Sequence, residues 1–252
     1  MEGKLKLKYF DLSLVDPGFI PSIWEYSKLI IPECPTIFSY TPNETAIKIC
    51  GLERADKKIK VKNIPGNVKM IRMVSSRETS FMISPDLMGF MFHYPDTNEY
   101  ASLVRAVKAI VYKSLRLYNV YLEENDNDIY FIKDGMRKKF FGMMDDATYD
   151  GWRVAIFTLT LNFDSELANK IYNFDDEKFT KKGEVFDISK IVGGLYEVAH
   201  INRNEVTNNI IQKLADRYDL EVSEENLPDN ELSKMNDFAY KSSNREWVLY
   251  GK

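Results

Sequence analysis

Polar and apolar positions alternate at the start of the chain, Leu5, Leu7 and Tyr9 against Lys4, Lys6 and Lys8, which predicts a strand. A short helix is expected from Pro21 to Ile30, ending before Pro32 and Pro35. Thr36–Tyr40 and Thr45–Cys50 read as two strands joined by Thr41-Pro42-Asn43-Glu44, a turn with its Pro at the second position. Lysines alternating with Ile and Val from Lys57 to Lys62 predict an exposed strand. Asp96-Thr97-Asn98-Glu99 has the form of a capping box, opening an amphipathic helix to about Leu117. Its apolar positions Tyr100, Leu103, Val104, Val107, Ile110, Val111 and Leu115 recur every three or four residues, so one face packs on a sheet.

The second half continues the mixture. Val120–Glu123 leads into a β-hairpin built on Ile129–Ile132, turned at Asp134-Gly135 and returning through Phe140-Phe141. Trp152–Phe163, apolar on both parities, is the longest strand candidate and is largely buried. Helices are predicted for Ser165–Tyr172 and Asn204–Tyr218, and a solvated charged loop for Asp175–Glu184. Asp187–His200 is expected to be a helix interrupted by Gly193-Gly194. No repeat or low-complexity segment is present.

Composition narrows the class. A chain of 252 residues, 44% hydrophobic and with 15 Phe and 15 Tyr, buries a core without disulfides or metals. With 34 basic against 38 acidic residues it lacks the excess positive charge that nucleic-acid binding asks for. No apolar run reaches the roughly 20 residues of a membrane span, and Met1–Lys8 is not followed by a secretory signal, so a cytoplasmic protein is expected. Cys34 and Cys50 read as buried small hydrophobes, and neither they nor His93 and His200 have metal-ligand spacing. His93, in a strand-like run, and His200, near a helix end, are weak candidates for a catalytic base.

On the hairpin's returning strand Lys138 and Lys139 point to opposite faces, so one ammonium turns toward whatever covers the sheet. The alternative is that both lysines guard an edge strand. The pattern Asn127-Asp128-Ile129, Asp134-Gly135, Lys138-Lys139 and Gly142 resembles a segment of the lipoate–protein ligases, and Tyr240-Lys241-Ser242 with Trp247 is similar to the close of their large domain. The similarity runs in order over nearly the whole chain.

That resemblance implies an α+β fold with a mainly antiparallel sheet backed by helices, shared by biotin–protein ligases and octanoyltransferases. It implies that 1–252 is a single large domain without the C-terminal accessory domain, which a separate small subunit would then supply. It implies a reaction in which lipoate or a related medium-chain acid and ATP, with Mg²⁺, give an acyl-adenylate. The acyl group then passes to a lysine of a lipoyl carrier domain of a 2-oxoacid dehydrogenase or glycine-cleavage protein. Lys139 falls on the family's catalytic lysine, Asn127 and Asp128 on the pair that orders nucleotide or Mg²⁺, and Gly142 on its glycine. The absence of any cysteine after Cys50 separates the chain from octanoyltransferases that work through a thioester.

Three departures stand against this. The family's glycine-rich nucleotide loop corresponds to 73–81, where Arg77, Glu78 and Thr79 stand in place of its three glycines and Arg72 lies one step from its arginine. Arg72, Ser76 and Arg77 remain the candidates for nucleotide contact; Arg77 offers a bidentate phosphate contact in place of backbone amides. Phe38 stands where the family's strand arginine falls, and Asp150-Gly151-Trp152 where it has a His. The sequence therefore leaves two readings open. One is an acyl-adenylate ligase with reduced or altered activity; the other is a non-catalytic paralogue that binds a lipoyl carrier domain, an acyl ligand or a ligase partner.

Overall fold

The computed structural model describes residues 5–50, 54–73, 81–125, 128–147, 150–173, 187–242 and 248. In chain order the first half contains β1 (Leu5–Val15), α1 (Ile20–Trp24), α2 (Tyr26–Ile30), β2 (Thr36–Pro42), β3 (Ala46–Cys50), α3 (Ala55–Lys58), β4 (Lys69–Met73), β5 (Phe81–Ile83) and β6 (Leu87–Pro95). Then come α4 (Leu103–Leu115), β7 (Leu122–Asn125), β8 (Asp128–Lys133), β9 (Met136–Ala147), β10 (Trp152–Thr160), α5 (Ser165–Ile171), α6 (Arg203–Arg217), β11 (Leu220–Glu224) and α7 (Asp229–Ser242).

Eight strands form one sheet in the order β11-β1-β2-β6-β10-β9-β8-β7, and three form another, β4-β3-β5. Within the large sheet β1 runs parallel to β11 and β2, and the remaining pairs are antiparallel. One face of the large sheet is covered by α4 and α6. The predicted stripe Leu103, Val107, Ile110, Val111 and Leu115 packs there with Val206, Ile210, Ile211 and Leu214 against Phe90, Phe92 and Phe157. The other face carries α1, α2, α7 and the small sheet, through Ile23, Trp24, Tyr26, Met235, Ile71, Met73 and Ile83. The expected α+β architecture is therefore present. Among the described residues no helix is long and apolar enough to cross a membrane.

Several local expectations are corrected. The strands at 36–42 and 46–50 both form, but β2 lies in the large sheet and β3 in the small one. The lysine-rich segment 57–62 is not a strand: it holds the end of α3 and a 3₁₀ turn, Val61–Asn63, because Ala55 and Ile59, four residues apart, are its buried anchors. The helix expected over 21–30 breaks at Glu25 into α1 and α2 and stops at Ile31, whose φ is 57°. The capping box does not form. Asn98–Tyr100 is a 3₁₀ turn, and α4 starts at Leu103 after Ser102 because the Asp96 amide is held by the Gly151 carbonyl at 2.7 Å. The segment 187–200 is two 3₁₀ turns, Ile188–Lys190 and Leu195–Glu197, with extended backbone between. β10 has 9 residues, fewer than the 12 of β9. Cys34 is half-buried, and the side chain of Cys50 and the loop 175–184 lie outside the described residues.

Candidate functional site

The hairpin of β8 and β9 closes as its sequence predicts. Asp134 and Gly135 have φ of 51° and 73°, the two positive values of a primed turn, and Lys133 pairs with Met136 across it. The register then slips: Tyr130 pairs with Lys139 but Ile129 with Phe141, leaving Phe140 as an extra residue on β9. This bulge determines the site. Regular alternation would set Lys139 and Gly142, three residues apart, on opposite faces. With Phe140 interposed both face the small sheet, and a Cβ at Gly142 would lie 3.6 Å from Lys139 Cε and 3.7 Å from its Nζ. Gly142 leaves room beside the ammonium.

Lys139 Nζ pairs with Asp128 Oδ1 at 2.8 Å, and Asp128 Oδ2 accepts from the Tyr130 hydroxyl at 3.3 Å. The Lys139 side chain is 40% exposed. It stands at the rim of a cavity of about 570 Å³ between the two sheets, within the range of roughly 300–1,000 Å³ typical of small-molecule sites. Strands β9 and β10 supply Phe140, Phe141, Met143, Met144 and Ile156; the opposite wall is Phe81 and Met82 of β5 with Lys48 of β3, closed by Phe163, Tyr172, Ile188 and Val192. Apart from Lys48 the walls are largely apolar, and the rim carries the Lys139–Asp128 pair.

The backbone at Lys139 is held from the side that β10 vacates. β10 pairs with β9 no further than Phe141. Beyond it the segment 191–193 takes over: the Lys139 amide donates to the Ile191 carbonyl at 2.8 Å and the Gly193 amide donates to the Lys139 carbonyl at 3.0 Å. Gly193-Gly194, read from sequence as a helix break, is there because of close approach. A Cβ on Gly193 would sit 2.8 Å from the Phe131 ring and 2.9 Å from Lys138 Cδ, and one on Gly194 would run into the backbone of Leu161 and Asn162. Lys138, on the opposite face, is buried and gives its ammonium to Glu197 Oε2 at 2.7 Å, while Glu197 Oε1 accepts from the Gly194 amide at 3.2 Å. Burial drives the Glu197 carboxyl up, but the Lys138 and Gly194 hydrogen bonds and the Lys138 and Lys133 charges outweigh it, leaving it below its ordinary 4.5.

The other candidates are placed as follows. Arg72 is 1% exposed, points away from the cavity on the small sheet, and donates from Nε and Nη2 to the Val248 carbonyl at 3.2 and 3.0 Å. Ser76, Arg77 and Asn127 lie outside the described residues, as do the rest of 74–80 and Trp247. Phe38 is fully buried and stacks with Phe10 at 5.1 Å, away from the cavity. His93 is fully buried with Nε2 2.7 Å from the Ile23 carbonyl, and burial, against that hydrogen bond, pulls it down to about 3, so the ring is neutral and donates there. His200 is exposed and stacks on Tyr196. Among the described residues no group of three or more His, Cys, Asp or Glu could hold a metal ion. Sequence reasoning missed Lys48; its only signal was a lysine between Ile47 and Ile49 in an otherwise apolar strand.

No protein-family profile matches the chain, and a search of curated proteins also finds no match. Solved structures do share its fold. A bipartite lipoate protein ligase from Thermoplasma acidophilum, described with its E2 lipoyl domain, matches with a TM-score of 0.78 at 18% identity, over 97% of this chain and 96% of that one. Lipoate-protein ligase A bound with ATP matches at 0.75 and 16% identity, over 98% and 99%. LipL1 of P. falciparum in complex with lipoate matches at 0.73 and 14% identity, over 98% of this chain and 74% of that one.

Proposed function

We propose that the chain is a lipoate–protein ligase-like enzyme that attaches a medium-chain acyl group to a lysine of a carrier domain through an acyl-adenylate. The observation that carries this is the Lys139 ammonium at the rim of an apolar cavity, with Gly142 clearing space beside it. The fold shared with structures of ligases that hold lipoate or ATP, and with a ligase described alongside its E2 lipoyl domain, supports it. The acid enters tail first and leaves its carboxylate at Lys139. A carboxylate oxygen attacks the α-phosphorus of ATP, and pyrophosphate departs. The carrier lysine's amine then attacks the acyl carbon, AMP departs, and the amine gives up a proton. In both steps negative charge builds on carboxyl and phosphoryl oxygens, and a fixed ammonium stabilises it without transferring a proton. Asp128, one carboxylate already paired with Lys139, is the group that would meet a Mg²⁺ arriving with the phosphates. The carrier is a lipoyl domain of a 2-oxoacid dehydrogenase or glycine-cleavage protein.

A second reading rests on a specific observation. Arg72 is turned toward Val248, and Phe38 fills an aromatic cluster, so neither brings a cation to the cavity. A chain so placed binds an acid or a lipoyl domain without activating either. Pyrophosphate release in the presence of ATP, Mg²⁺, octanoate or lipoate and a lipoyl domain separates the two. Turnover that Lys139→Ala removes supports the enzyme. Binding of the acid or domain by calorimetry without turnover supports the paralogue.

A further inference from the structure

Lys139 shares its face of the hairpin with a second cation. Before the bulge at Phe140, β9 alternates regularly, so Arg137 has the parity of Lys139 and both rise on the same face. Arg137 pairs with Ile132 and Lys139 with Tyr130, and the guanidinium leans diagonally across to lie 3.8 Å from the centre of the Tyr130 ring. The Tyr130 hydroxyl in turn donates to Asp128, which holds Lys139. A continuous polar surface therefore runs from the guanidinium to the ammonium. Arg137 stands outside the cavity lining, two residues nearer the hairpin turn and so about 7 Å further along the strand. Glu123 Oε2 is 3.8 Å from its Nε, with side chains 42% and 41% exposed, a solvated contact that a stronger anion displaces.

A guanidinium held over a ring loses little freedom when it binds, and its N–H fork takes two oxygens of one phosphate. We propose that Arg137 holds the β- and γ-phosphates of ATP and, after adenylation, the departing pyrophosphate. This rests on the reading that the acid is activated as an adenylate at Lys139. With the carboxylate and the α-phosphate at Lys139, the rest of the triphosphate extends out of the cavity along β9 to the guanidinium. As the bond from the α-phosphorus to its bridging oxygen breaks, the electron pair leaves with pyrophosphate, and Arg137 stabilises that growing charge without transferring a proton. A side-chain cation suits a chain whose residues 77–79 include no glycine for a backbone phosphate cradle.

The test is calorimetric binding of ATP and of AMP, each with Mg²⁺, to the full chain and to Arg137→Ala, with Arg137→Lys as a second variant that keeps the charge and loses the fork. Wild type is expected to bind ATP at least about tenfold more tightly than AMP, the fold-change of one charge-assisted hydrogen bond. Arg137→Ala should erase that preference and leave AMP binding unchanged, and Arg137→Lys should recover at least part of it. A wild type that binds the two nucleotides alike, or a ratio unmoved by Arg137→Ala, overturns the role of Arg137 and leaves the nucleotide site standing. Binding of neither nucleotide to wild type overturns the adenylation reading itself, and this inference with it.

Discussion

Glu197 holds the segment that fixes the Lys139 backbone, and replacing it tests that architecture. Its carboxylate takes Lys138 at 2.7 Å, the Gly194 amide at 3.2 Å and Lys133 at 3.5 Å. The Lys138 side chain is 11% exposed and that of Glu197 26%, so the pair is largely withdrawn from water. Removing one partner of a buried pair costs about 3–5 kcal/mol, mostly because the other charge is stranded. The partial exposure of Glu197 places Glu197→Ala near the lower end, about 3 kcal/mol, which lowers Tm by roughly 6–12 °C in a chain of this size. Glu197→Gln keeps a neutral acceptor and should lose about half of that. The carboxyl lies below 4.5 in the folded chain, so its contribution is complete above that pH and fades as pH falls through the folded value. The gap between wild type and Glu197→Gln should narrow accordingly. Urea denaturation of wild type, Glu197→Ala, Lys138→Met and the double variant gives the coupling directly. A loss under about 0.5 kcal/mol with no coupling, the size of a solvent-exposed ion pair, would refute the buried clamp.

Gly194→Ala puts a methyl group 2.6 Å from the Leu161 carbonyl carbon, backbone against backbone, and should destabilise the chain by about 1–3 kcal/mol and lower acyl transfer with it; unchanged stability in thermal denaturation would contradict that packing. His93 is neutral when folded, with its value pulled from 6.5 to about 3, so the unfolded chain binds the extra proton and stability falls as pH drops below 6.5. Relative to His93→Gln, wild type should lose about 2 kcal/mol between about pH 7.5 and pH 5 in urea denaturation, and parallel pH profiles would show the ring to be accessible to protons.

Much of the frame could be read from residue patterns. The α4 and α6 stripes, the Asp134-Gly135 turn and the lysine pair on a returning strand were legible because each depends on near neighbours in sequence. The features that make the site depend on distant ones. Lys139-Phe140-Phe141-Gly142 gives no sign that Phe140 is a bulge, because the slip is set where β8 and the segment 191–193 meet β9. Gly193-Gly194 looked like a helix break because the contacts that exclude a side chain come from Leu161 and Phe131. Lys57–Lys62 shows exposed lysines in either conformation; the four-residue spacing of Ala55 and Ile59 marked the turn of helix. Nothing near Lys48 in sequence signals its burial, since the sheet that buries it is assembled from β4 and β5, 20 and more residues on.

The central claim is that the Lys139 ammonium meets the charge that develops on the acid. Its most direct test is pyrophosphate release by wild type and Lys139→Ala, with octanoate or lipoate, ATP, Mg²⁺ and a lipoyl domain, and with an accessory subunit supplied. The account predicts wild-type turnover and a fall of at least about 100-fold in the variant, the size expected when a fixed electrostatic stabiliser is removed. No turnover by wild type, or a variant as active as wild type, would contradict it.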